Sequence, residues 1–261
     1  FIGISGHYCM VFETMGKSVY DYIKGNDYQP FPMNYVQALT VQLLDAVGFL
    51  HSMELIHTDL KPENILFCDS NYSMEKADNG NMIKLPQSPQ IKLIDFGGAT
   101  YETEHKSSII NTRQYRGPEV ILGVGWSYPS DCWSLGCIIA EMAMGELLFG
   151  THGNTEHLAL MERSVGQFPK HMIEKSNVQS KYFNDGRVKI DSLSRSSQRH
   201  VRKMPQLVDM FAHHDQNGFV DLLTSLLTLD PAERPNLVGA TDKMDFCIAA
   251  ASSPIVQTLK K

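Results

Sequence analysis

Apolar residues at helical spacing dominate the chain. Val36, Leu39, Leu43, Val47 and Leu50 recur at three- and four-residue intervals, the stripe of a long helix over Met33–Ser52 with one buried face. Pro129–Met144 is apolar on nearly every side, with Cys132-Trp133-Ser134-Leu135-Gly136-Cys137-Ile138-Ile139-Ala140 inside it, and this predicts a central buried helix. Residues 17–23 read as a short helix, and 155–166 and 219–229 as amphipathic ones. Strand patterns are short. Residues 1–15 read as two strands, the clearer being 7–12 after Gly6. Ile65–Phe67 and residues 91–94 predict strands on either side of a polar segment, 68–90. Its Asn, Ser, Asp and Pro predict a surface loop or hairpin. Residues 192–203 are polar and basic and read as a loop or insert, while Asp230-Pro231 and Arg234-Pro235 mark a turn between helices. Many helices with a few short strands make a mainly α chain, α+β overall.

A length of 261 residues buries a substantial core, as one large domain or two small ones. With 43% hydrophobic and 20% charged residues the composition is that of an ordinary globular protein, and no apolar run approaches the ~18 residues of a membrane span. Five cysteines are an odd number without framework spacing. They read as reduced, mostly buried thiols of an intracellular protein, and Cys132 and Cys137, five apart, do not make a metal pair. The net charge of −6 is unevenly spread: residues 170–203 hold nine Lys or Arg against three acids, so this segment carries +6 and the remainder −12. An acidic body disfavours nucleic acid as the direct ligand and suits a basic protein partner.

The chemistry is concentrated in two strings. His57-Thr58-Asp59-Leu60-Lys61-Pro62-Glu63-Asn64 reads as H-x-D-L-K-x-x-N, and Asp95-Phe96-Gly97 follows downstream, with Gly117-Pro118-Glu119 beyond it. Phosphoryl transfer from ATP needs a carboxylate to orient the incoming hydroxyl and accept its proton, which suits Asp59. It also needs oxygen ligands to hold Mg²⁺ against the phosphates, which suits Asn64 and Asp95.

From the first string onward the order resembles the C-terminal lobe of a eukaryotic protein kinase. The octapeptide Glu156-His157-Leu158-Ala159-Leu160-Met161-Glu162-Arg163 differs at one place from the E-H-L-A-M-M-E-R string of the LAMMER kinases. Thr112-Arg113-Gln114-Tyr115-Arg116, Pro118-Glu119-Val120-Ile121-Leu122-Gly123 and Pro169-Lys170-His171-Met172 also look like LAMMER sequence. On its own helix, the octapeptide's Leu158, Leu160 and Met161 read as core positions.

The resemblance implies a kinase fold, with residues 1–15 as the last strands and hinge of the N-terminal lobe, 16–250 as the helical C-terminal lobe and 251–261 as a tail. It makes Asp59 the catalytic carboxylate, Lys61 the cation that neutralises the moving phosphoryl, and Thr112 their partner. Phe12 would back the adenine pocket, Glu13 and Met15 would form the hinge and Leu66 the floor, with Asn64 and Asp95 on the metal. Glu119 and Arg234 are expected to form a buried ion pair, and Asp131 to accept backbone N–H groups of the catalytic loop. Thr58, standing where many kinases have Arg, implies activity without activation-loop phosphorylation, and Gly117, where Ala is usual, a looser loop. ATP and Mg²⁺ are the implied cofactors. The implied activity is dual-specificity phosphorylation of Ser/Thr, with Tyr in autophosphorylation. Arg/Ser-rich splicing factors are the implied substrates, acted on by a monomer, nuclear or both nuclear and cytoplasmic, that touches neither nucleic acid nor membrane. Residues 1–261 contain no G-x-G-x-x-G loop, V-A-I-K lysine or partner glutamate. The chain is therefore expected to be an N-terminally truncated domain with little activity alone; the alternative is an inactive fragment acting as a binding module. Residues 244–246 depart from the family pattern, and the last residues of the tail after them are expected to fray.

Overall fold

Ser18 starts the first helix. Its hydroxyl accepts from the Asp21 N–H while the Asp21 carboxylate accepts from the Ser18 N–H, and this reciprocal cap launches α1 (Val19–Gly25). The coordinates are a computed structural model describing residues 6–7, 9–77, 80–214 and 218–258. Next comes α2 (Met33–Ser52), which buries Val36, Leu39, Leu43 and Val47, the face expected from their spacing. A tight turn leads into β1 (Leu55–Ile56).

Four short strands then frame the two chemical strings. The first string occupies the loop between β1 and β2 (Ile65–Phe67). A hairpin follows, β3 (Tyr72–Lys76) against β4 (Met82–Pro86), so the polar 68–90 segment is a hairpin and not an open loop. The second string lies between β5 (Ile91–Leu93) and β6 (Thr100–Tyr101). β2 pairs antiparallel with β5, with Leu66 opposite Lys92, and β1 pairs antiparallel with β6, with Ile56 opposite Thr100. Each string is thus tied at both ends to the strands that flank the other, which holds the two loops side by side.

The rest is mostly helical. After α3 (Pro118–Leu122), α4 (Pro129–Met144) runs through the centre of the molecule. Fourteen of its sixteen residues are buried, and the Trp133 ring stacks on Phe149 at 5.8 Å. Truncating such a ring to Ala costs about 3–5 kcal/mol. The octapeptide lies on α5 (Asn154–Ser164) with Leu158, Leu160 and Met161 fully buried, so its apolar residues are core. Small elements follow: α6 (Lys170–Lys175), α7 (Gln179–Tyr182) and the ladder of β7 (Phe183–Asn184) with β8 (Arg187–Val188). Then come α8 (Arg195–Lys203), α9 (Leu207–Met210), α10 (Phe219–Leu226), α11 (Asp245–Ala250) and α12 (Pro254–Thr258). Among the described residues no helix is long and apolar enough to cross a membrane.

Two expectations from sequence are corrected. The strand expected at 7–12 is not formed by His7 or by residues 9–12, which belong to none of the described strands; Tyr8 lies outside the described residues, as do residues 1–5 of the expected first strand. The loop expected at 192–203 is instead the helix α8. The Ser194 hydroxyl accepts from the Ser197 N–H, and cations in the last turn oppose the negative end of the helix dipole. The buried Val201 and a His200–Glu156 pair fasten the helix to α5. The stretch from 245 to 258 is packed: Phe246, Cys247 and Ala250 are buried, and Gln37 on α2 donates to the Phe246 carbonyl at 2.8 Å. Residues 259–261 lie outside the described residues.

Candidate active site

The loop that carries Asp59 is hung from one buried carboxylate. Asp131, on the first turn of α4, accepts the His57 N–H at 2.9 Å and the Thr58 N–H at 3.1 Å, with His51 Nε2 at 3.1 Å completing the set. These bonds hold Thr58 at φ +67°, a left-handed conformation that a β-branched residue adopts only under constraint. The Thr58 hydroxyl donates to the Gly98 carbonyl at 2.7 Å, and its own carbonyl accepts the Asn111 N–H. Thr58 therefore stitches the loop to the segment after Asp95 by neutral hydrogen bonds. His57 Nε2 lies 3.1 Å from the Ile94 carbonyl, and its ring is 5.1 Å from that of Phe96.

Asp59 is held by two partners at once. Lys61 Nζ reaches Oδ2 at 2.6 Å; the Thr112 hydroxyl and N–H donate to Oδ1 at 2.7 and 3.0 Å, and Lys61 Nζ also lies 3.3 Å from the Thr112 hydroxyl. Burial pushes the Asp59 carboxyl up, but the hydrogen bonds from Lys61 and Thr112 outweigh it and keep the pKa below the usual carboxylate value. The three residues named from sequence as Asp59, Lys61 and Thr112 are brought into one cluster.

Asn64 and Asp95 each carry a side-chain oxygen that could meet a cation. Asn64 Nδ2 donates to the Asp59 carbonyl at 2.9 Å, which leaves the side-chain carbonyl oxygen as the atom to meet a cation. Asp95 has φ +65° and its Oδ1 is 3.4 Å from the Gly97 N–H. An amide oxygen and a carboxylate are hard donors, and they fit Mg²⁺, which keeps its other positions for phosphate and water. Among the described residues no group of three His, Cys, Asp or Glu side chains could hold a metal alone.

The nucleotide-side residues are less gathered. The Gly16 N–H donates to the Phe67 carbonyl at 2.7 Å, tying the 13–16 segment to β2, where Leu66 is half-buried. A Cβ at Gly16 would strike the Asp69 carbonyl oxygen, so the close approach needs glycine. The Glu13 side chain pairs with Lys92 on β5 at 2.5 Å, and Met15 is half-buried. Phe12 is 77% exposed.

On the opposite side of Asp59 the 110–119 segment is anchored. The Arg234 guanidinium pairs with Glu119 through two 2.8 Å bonds, both side chains being fully buried, and it also donates to the Thr228, Pro129 and Leu229 carbonyls. All its donors are thereby used, the condition for such a pair to be tolerated in a core. A Cβ at Gly117 would meet the Glu119 carboxylate at 2.6 Å. The glycine makes room for the ion pair, a tighter role than the loosening expected from sequence.

Beside Thr112 opens a cavity of about 540 Å³ whose walls include Glu63, Glu141, Glu146, Tyr20, Tyr28 and His200. Glu141 accepts a 2.6 Å bond from the Tyr115 hydroxyl; burial, helped by the Glu63 charge and opposed by that bond, lifts its pKa to about 7. The sequence reading passed over these acids. Glu63 lies inside the first string, and Glu141 is a lone acid in the most apolar helix, which was the available signal.

Comparison with known proteins agrees with this geometry. The protein kinase domain family matches residues 2–245. The serine/threonine-protein kinase AFC1 of Arabidopsis thaliana is 46% identical over 245 residues, covering 87% of this chain and 52% of that protein. The dual specificity protein kinase CLK1 of Homo sapiens is 44% identical over 239 residues, covering 89% and 48%. The chain thus spans about half the length of the curated relatives it matches. The crystal structure of the PF14_0431 kinase domain superposes with a TM-score of 0.80 at 37% identity, covering 94% of this chain and 72% of that one. The chain belongs to the protein kinase family, on its LAMMER branch.

Proposed function

We propose that the protein transfers the γ-phosphoryl of ATP to Ser and Thr hydroxyls, and to Tyr in autophosphorylation, of Arg/Ser-rich proteins such as splicing factors. The observation that carries the reading is the Asp59–Lys61–Thr112 cluster. Bound ATP with Mg²⁺ supplies the phosphoryl group and the charge that screens it. Asp59 Oδ orients the incoming hydroxyl and takes its proton; its lowered pKa keeps it ionised and ready at neutral pH. Lys61, already beside Asp59, offsets negative charge on the moving group. Thr112 fixes the carboxylate rotamer and anchors the segment along which a substrate lies. Asn64 and Asp95 would hold the cation, Glu13 and Met15 would present backbone groups to adenine, Leu66 would lie beneath it and Phe12 behind it.

The choice of Arg/Ser substrates rests on the acidic cavity next to Thr112. Glu63, Glu141 and Glu146 suit a guanidinium carried a few residues from the acceptor hydroxyl. Rates of the full-length protein on Arg/Ser peptides and on acidic Ser peptides, compared at low salt, test this. A large excess for the Arg/Ser set is expected, and comparable rates would sink the assignment. Binding of both peptide and nucleotide without turnover would mean a docking module.

A further inference from the structure

Eight arginines occur in the chain, and few have a serine beside them. Ser164 follows Arg163, but it is buried and its hydroxyl donates to the Leu160 carbonyl at 2.9 Å. The other case is Ser194-Arg195-Ser196-Ser197 at the start of α8, where Ser194, Arg195 and Ser196 are exposed. We infer that Ser196 is a site of autophosphorylation, an Arg/Ser substrate that the protein carries in its own chain. This inference rests on the kinase reading above and goes beyond it by naming an acceptor.

Three observations support Ser196. The string is of the class that the acidic cavity selects, with Arg195 before the acceptor and Arg199 three residues after it. The first turn of α8 is cheap to open: Val201, further along, is the one buried residue of the helix. A kinase acceptor must be drawn into an extended segment, and local opening is easiest where little apolar surface is lost. Ser194 is engaged as the cap, accepting the Ser197 N–H at 3.1 Å, and Ser197 is half-buried, whereas Ser196 is exposed and its hydroxyl is tied to the neighbouring Ser194 hydroxyl at 2.9 Å, a contact that opening the first turn releases.

The product is also stabilised where it forms. A phosphate on Ser196 sits in the first turn of α8, at the positive end of the helix dipole and one turn from Arg199 on the same side of the helix. In the transfer the Ser196 Oγ–phosphorus bond forms as the bond from the γ-phosphorus of ATP to the β–γ bridging oxygen breaks. The hydroxyl proton passes to the Asp59 carboxylate, and ADP leaves with the bonding pair.

The test gives the dephosphorylated full-length protein Mg·ATP with an Arg/Ser peptide present as a second substrate, and reads both by mass spectrometry. Phosphate is expected on Ser196 in the wild type and on neither Ser196→Ala nor Asp59→Asn protein. An Arg195→Gln/Arg199→Gln variant should label Ser196 at least tenfold more slowly, while the Ser196→Ala and double-Gln proteins phosphorylate the peptide at the wild-type rate. A labelled peptide with unlabelled Ser196, with label on Ser194 instead, or with undiminished labelling in the double variant overturns the inference and leaves the kinase reading standing. An unlabelled peptide overturns both.

Discussion

Glu141 and Asp59 are two carboxyls on either side of Thr112, and their surroundings drive them in opposite directions. Asp59 gains three donors and stays ionised; Glu141 has one neutral donor and is held near half-protonation at pH 7. The folded chain therefore binds a proton at Glu141 that the unfolded chain releases above its ordinary value of 4.5. The resulting stability is fully present below pH 4.5 and lost as pH rises through about 7. Glu141→Gln keeps the bond to Tyr115 and removes the charge. Denaturant midpoints at pH 5 and pH 8 should show the variant losing this component of the pH dependence and gaining about 1–3 kcal/mol over wild type at the higher pH. It should at the same time weaken Arg/Ser peptide binding. A variant no more stable at pH 8 would mean that Glu141 is ionised and satisfied. The catalytic assignments part in a second comparison, made in the full-length protein. Asp59→Asn should lower kcat by roughly 10²–10⁴ with ATP affinity nearly unchanged. Asp95→Asn should weaken Mg²⁺-dependent nucleotide binding as well, and identical profiles would merge the two roles.

Among the elements, α8 is the one most open to perturbation. Ser194→Ala removes its cap and should cost about 1 kcal/mol of local stability. Hydrogen exchange should speed up at 195–198 and not in α4; a uniform change would place the cap's effect in the global fold. This helix also shows what the sequence conceals. Met33–Ser52 and Pro129–Met144 were legible to the residue because long apolar periodicity outweighs any single cap. At α8 one valine among charged and polar residues leaves no apolar stripe; the Ser194 cap and the contact with α5 decide the outcome, and the latter is tertiary. The reverse error at 7–12 has the same root. A β-branched run makes a strand only when a neighbour supplies a ladder, and sequence pattern reports the run alone. The site divides in the same way. Asp59, Lys61, Asn64 and Asp95 sit in short strings readable by spacing, whereas Glu141 reaches the cavity through the packing of α4.

Over the whole molecule, charge is segregated: 170–203 is basic and the rest strongly acidic. Steering of Arg-rich substrates towards the acidic part should give an association rate that falls with salt over a Debye length of ~8–10 Å. A kcat/KM on Arg/Ser peptides flat between about 50 and 200 mM salt would rule out steering. Stability across the molecule turns on Glu119 and Arg234. Removing one partner, as in Glu119→Gln or Arg234→Met, strands a buried charge or breaks its network and should cost about 3–5 kcal/mol, whereas the double variant Glu119→Leu/Arg234→Met should recover part of the loss. Equal losses in single and double variants would show that packing, not charge, is at stake. The same pair has a consequence in time. Its partners are 115 residues apart, so on a ribosome adding ~5–20 residues per second Glu119 emerges some ~6–23 s before its guanidinium exists. Through that interval the substrate-side segment holds a carboxylate meant for the core and has nothing to put opposite it. Nascent chains arrested before residue 234 should then be bound by holdase chaperones and cleaved readily near 110–119, and both susceptibilities should vanish together once Arg234 clears the exit tunnel.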